Sequence, residues 1–127
     1  MKFIRITTIL FIFAFFLIIL AANRGGIPAW IYSFYNYPNG DKVGHFVLFG
    51  LMAFLINCSY PEQVNRIFSL PIPTGSLIVA VLASLEELSQ VFFPTRTSSL
   101  LDLSASFLGI IVFSYLSLFV IKLYKKT

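Results

Sequence analysis

Four short stretches hold most of the side chains in this sequence that can do chemistry. "DKVGH" carries Asp41, Lys42 and His45; "EELSQ" carries Glu86, Glu87 and Gln90; "PTRTSS" carries Arg96; "LDLSAS" carries Asp102 and Ser106. Carboxylates beside an imidazole can exchange protons near neutral pH. A guanidinium fork can hold a carboxylate or another anion through two hydrogen bonds. Ser89 and Ser98 are ordinary serines with no evident base, so no nucleophile is assigned. The acidic spacing is not diagnostic of a hard-metal loop. No metal ligand is therefore assigned, and no cofactor is indicated. Ligand binding and acid–base catalysis both stay open.

These polar residues lie in very apolar surroundings. Of 127 residues, 58% are hydrophobic and 11% charged, against roughly 25% charge in an ordinary soluble domain. Runs at 6–22, 43–60, 75–93 and 100–121 are each apolar and long enough to cross a bilayer as a helix. The expected fold is all-α: a single membrane domain, 1–127, built as a four-helix transmembrane bundle. The first run, with Lys2 and Arg5 before it and "AAN" after it, has a second reading as a secretory signal. Its length favours a retained helix. Cys58, the single cysteine, lies inside the second run and reads as a small packing residue. The net charge of +4 is spread over helix ends, with no basic run of the kind that binds nucleic acid.

Four spans place both termini on one side, with Arg5, Arg66, Lys122 and Lys125 among its cations. The positive-inside rule makes that side cytoplasmic and the protein a multi-pass component of the cytoplasmic (inner) membrane. Asp41, Glu86, Glu87 and Asp102 then gather at the external end, and only Glu62 is internal. The connection after the first run holds Trp30, Tyr32, Phe34, Tyr35 and Tyr37. It reads as an interfacial anchor along the membrane, with an aromatic lid over an external pocket as the alternative. The internal connection, "PEQVNRIFSLPIP", reads as a loop bounded by prolines.

At about 100° per residue, Gln90 falls between Glu86 and Glu87, and the small residues Ala83 and Ser76 continue the same arc. Asp102, Ala105, Ser106 and Gly109 form a second stripe of one acid and small residues. Such stripes face other helices. Asp41 and His45 stand one turn apart, where Asp41 either caps its helix or orients the imidazole. A lone acid at mid-membrane costs about 2.5–3.5 kcal/mol, whereas an intramembrane hydrogen bond returns about 0.6 kcal/mol. Packing alone is thus a weak reason for the cluster. Arg96, Lys42 and His45 are the available partners, Arg96 the best of them, with Glu86 a partly exposed neighbour. Four acids against two fixed cations leave three completions: a protonated carboxyl, a charged His45, or an external cation or ligand.

"DKVGHFVLF" followed by "EELSQVFFPTRTSSLLDLSASFLG" resembles the VanZ-like family of small membrane proteins over about residues 41–113. The resemblance carries over Asp41, Lys42, His45, Phe46, Glu87, Gln90, Pro94, Arg96, Asp102 and Gly109. Thr95, Ser106 and Phe49 stand where that family favours glycine, asparagine and tyrosine, and Glu86 matches a partly acidic position. The resemblance implies an envelope role linked to teicoplanin susceptibility, with membrane lipids and an envelope ligand or protein as partners. The alternative is an enzyme using Glu87 and His45 as acid and base on a lipid-linked or headgroup substrate, with Arg96 holding an anionic group. Proton or ion movement ranks last, because the inner halves of the helices read as dry. Oligomeric state is not fixed by the sequence.

Overall fold

The computed structural model describes residues 2–127. Five helices run as α1 (Lys2–Asn23), α2 (Ala29–Tyr35), α3 (Gly40–Ser59), α4 (Thr74–Ser89) and α5 (Leu100–Lys126), with a 3-10 turn at Gln90–Phe92. α1, α3, α5 and α4 with its 3-10 extension are long and apolar enough to cross a membrane. The chain is a membrane protein. The expected segments are all present, but α1 and α5 extend through their flanking basic residues, to Lys2 and Lys126. Long lysine and arginine stems continue a helix while their charges reach for water.

The internal connection is not a plain loop. Val64–Ile67 (β1) and Leu70–Pro73 (β2) form an antiparallel hairpin, with Ile67 opposite Leu70. The two turn residues, Phe68 and Ser69, have φ of 49° and 67°. Positive φ at both central positions matches the twist of a tight hairpin. Neither residue is the usual glycine or asparagine, which is why the sequence hides the turn. Both prolines, Pro71 and Pro73, lie in a two-stranded ribbon whose every strand is an edge.

α3 and α5 form the most extensive helix pair. Their crossing is close because it runs through glycine. A Cβ on Gly109 would drive into the Phe46 carbonyl, and one on Gly50 into the Phe113 ring. This is the small-residue contact that lets helix backbones approach in lipid. The buried face of α5 runs through Asp102, Ser106, Gly109, Ile110, Ser114 and Ser117. α1 is held by a thinner seam: its buried residues are Thr8, Phe15 and Ala22, one every two turns. Most of its other side chains are exposed, as expected for a lipid-facing helix.

The bundle interior has three layers. An acid-rich layer lies at the end away from the termini. Phe15, Phe49, Met52, Ala53, Val79, Ala83 and Ile110 form an apolar middle. The third layer, nearer the termini, corrects the expectation of dry inner halves. There Asn57 Nδ2 donates to Ser76 Oγ (2.9 Å) and Ser117 Oγ (3.1 Å), and Ser76 bonds Ser114 at 2.5 Å. Thr8 joins Ser59 at 2.8 Å beside it. Single hydroxyls read in sequence as small packing residues, and only the fold brings them together.

Candidate functional site

Local structure aims each polar segment at the same end. α1 stops in a Schellman motif: Gly26 N–H reaches the Ala21 carbonyl, Gly25 N–H the Ala22 carbonyl, and Gly25 takes φ 69°. "NRGG" is thus the punctuation its sequence suggests, but Asn23 also contributes to the site. Asn39, left-handed at φ 62°, caps α3, so Asp41 lies in the first turn and is not the cap. Asp102 occupies the first turn of α5. Both acids therefore face the positive end of a helix dipole. Glu86 and Glu87 have the opposite placement, in the last turn of α4 with no basic residue there. They need partners from elsewhere.

Arg96, the best of the expected partners, supplies one to Glu86. Its Nη2 meets Glu86 Oε1 at 2.9 Å, and its Nη1 donates to Asn23 Oδ1 at 3.0 Å. Gln90 Nε2 adds bonds to both Glu86 oxygens, at 3.0 and 2.9 Å. The Glu86 side chain is only 9% exposed. Glu86 is thus the clamped carboxylate, partly exposed as a residue but with its side chain largely enclosed. Thr95 reinforces the contact by donating to the Ala22 and Asn23 carbonyls (3.1 Å each). The loop after α4 is thereby fastened to the end of α1. Asn23 and Thr95 carried no charge pattern that could have marked them in the sequence.

Glu87 has a different environment. It is 4% exposed, and its Oε1 accepts the Ser99 backbone N–H at 2.5 Å. Its Oε2 is buried without a hydrogen-bond partner among the described residues. Asp102, 5% exposed, lies 3.4 Å from Lys42 Nζ through Oδ1, in ion-pair range but without a hydrogen bond. Lys42 also meets Asp41 at 3.4 Å. His45 Nδ1 is 3.1 Å from Ser106 Oγ, and Ser106 donates its own proton to the Asp102 carbonyl. With its own proton given to the Asp102 carbonyl, Ser106 Oγ can accept a hydrogen bond from a protonated Nδ1. The expected Asp41–His45 pairing is replaced by this link to Ser106. The imidazole also stacks on Phe49 (5.8 Å between centroids, 24°).

One nitrogen of His45 and one oxygen each of Glu87 and Asp102 all lie within 4.8 Å of one another. Beside them opens a cavity of about 560 Å³. Asp41, His45, Gln90, Arg96 and Asp102 line its polar part, and Phe15, Ile19, Leu48 and Phe49 its apolar part. Of the aromatic connection, Tyr32 lines the cavity, while Trp30 and Phe34 are 68% and 75% exposed; the Tyr35 side chain lies outside the described residues. All nine expected site residues thus meet at one end of the bundle, in three subsets: Glu86–Arg96–Gln90, Asp41–Lys42–Asp102, and His45–Ser106 beside Glu87.

Fold and site together define a helical membrane protein with an acid-rich cavity at the end remote from its termini. Comparison with protein-family models, with curated proteins and with solved structures finds no match.

Proposed function

We propose that this chain is a VanZ-like protein of the cytoplasmic membrane that binds an amphiphilic ligand of the cell envelope in an outward-facing pocket. The observation that carries the reading is the two-sided cavity. Its volume lies within the roughly 300–1,000 Å³ of small-molecule sites, and its wall passes from carboxylates and amides to aliphatic and aromatic side chains. Such a surface suits a molecule with a polar head and a hydrocarbon part. The external placement rests on the cation-rich opposite end, which holds Arg5, Arg66 and Lys125. The envelope role rests on the resemblance of the Asp-Lys-x-x-His and Glu-x-x-Gln stretches.

The test is deletion of the gene in its source organism, complemented with the wild-type chain or the Asp102→Asn variant. A photo-crosslinking residue at Tyr32 is read out in parallel for bound envelope lipid or protein. Deletion is expected to alter glycopeptide susceptibility, with only the wild type restoring it, and the probe is expected to capture an envelope component. Unchanged susceptibility with no captured component would retire the reading.

The Glu87 oxygen without a hydrogen bond, and Asp102 held only by the Lys42 ion pair through Oδ1, beside an imidazole favour a second reading, acid–base chemistry on a lipid headgroup. Arg96, engaged by Glu86 and Asn23, is not free to hold the anionic group in that scheme. Unchanged envelope lipids after deletion and overexpression would count against it.

A further inference from the structure

We infer that His45, Glu87 and Asp102 form a binding site for a divalent transition-metal ion of the Zn²⁺ or Mn²⁺ type. Three ligand atoms of the right chemistry lie within 4.8 Å of one another, drawn from three different helices. Around a shared ion with bonds of about 2.1 Å, tetrahedral neighbours stand roughly 3.4 Å apart. Small side-chain rotations close that difference. Imidazole with two carboxylates suits zinc or manganese better than the all-oxygen shells of calcium and magnesium.

Two further observations point to a ligand and not merely to an acidic cluster. Glu87 and Asp102 are each more than nine-tenths buried, and each keeps an oxygen without a hydrogen-bond partner among the described residues. For Glu87 Oε2, which has no ion pair either, this costs about 1–3 kcal/mol or more; Asp102 Oδ1 has only the 3.4 Å ion pair with Lys42. The charges also fail to balance. Arg96 is occupied by Glu86, and Lys42 is shared between Asp41 and Asp102. Glu87 has no ion pair among the described residues, and a divalent ion would supply its counter-charge. The Ser106 bond to His45 Nδ1 has the form of the outer hydrogen bonds that orient metal-binding histidines. Asp102 and His45 line the cavity, so an ion held there would present its open coordination positions to whatever enters. The site stands on its own geometry and goes beyond the envelope reading.

The experiment uses the full chain in lipid nanodiscs, stripped with chelator, exposed separately to Zn²⁺ and Mn²⁺ and desalted. Metal content is read by mass spectrometry and unfolding by thermal melts, with no envelope ligand present. A failure here therefore leaves the envelope reading untouched, and the reverse also holds. The wild type is expected to retain about one ion per chain and to melt higher with it. Glu87→Gln, Asp102→Asn and His45→Ala are expected to lose retention, while Glu86→Gln keeps it. Ser106→Ala, the mildest change, should weaken affinity by about 10–100-fold. Should the ligand variants fail to fold, Ser106→Ala and Glu86→Gln still separate the site from its neighbour. Retention by neither metal overturns the inference, particularly if Glu87→Gln melts higher than wild type, the mark of two carboxyls sharing a proton. Equal retention in every variant overturns it as well, since the ion would then sit elsewhere.

Discussion

Arg96 reaches back ten residues to hold Glu86, and its second nitrogen ties that pair to Asn23. Removing it leaves a carboxylate that is 9% exposed without its ion pair and held by Gln90, at a helix end whose dipole already opposes negative charge. A fully buried pair broken this way loses about 3–5 kcal/mol. Arg96 is 17% exposed, so Arg96→Ala is expected to cost about 2–3 kcal/mol, below that range. Arg96→Lys keeps the charge but not the fork, and is expected to cost about 1 kcal/mol through the lost Asn23 bond. Reversible unfolding in mixed micelles measures both. The membership of this cluster was legible in the sequence because ionisable residues are conspicuous among apolar ones. The pairing was not. Both glutamates fall in one arc of the helical wheel, and the choice between them is made by the 3-10 turn and the path of the following loop. Glu87 is bonded instead by a backbone N–H at Ser99, a group every residue carries and no sequence can single out.

At the level of the elements, α3 and α5 owe their proximity to positions without side chains. Gly109→Ala would press a methyl group into the Phe46 backbone, which cannot rotate away. Overpacking of this kind is expected to cost about 1–3 kcal/mol and to separate Ser106 from His45. Gly44, on the same helix as Phe46, has nothing within 4 Å of its would-be Cβ. Gly44→Ala should therefore gain about 0.5–1 kcal/mol from helix propensity. Thermal melts of the two variants side by side separate the effects. The four long helices were legible from apolar run length, and the inward faces of α4 and α5 from stripes of small residues. The hairpin at Val64–Pro73 was not, because its turn uses Phe68 and Ser69 at positive φ. The Asn57 network escaped notice because its serines are scattered over two helices and mean nothing singly.

For the molecule as a whole, two polar layers are separated by an apolar one that includes Phe49, Met52, Val79 and Ile110. Among the described residues that middle layer leaves no chain of titratable groups from end to end, which argues against proton relay by a single copy. The two ends also differ in charge, so orientation can be read by labelling. With Cys58 replaced by alanine, Asn36→Cys is expected to react with a membrane-impermeant maleimide in intact cells, and Ser69→Cys only after permeabilisation. The reverse pattern would turn the cavity toward the cytoplasm. The ion pairs also have a consequence for the order in which the chain leaves the ribosome. Lys42 is next to Asp41, and Arg96 follows Glu86 by ten residues, so these two acids have counter-charges close by in the chain. Asp102 must instead wait to find Lys42 across the bundle, and Glu87 gains its backbone donor only when Ser99 has folded back. The four acids of the site thus divide into a pair with partners near in sequence and a pair completed only when distant segments dock.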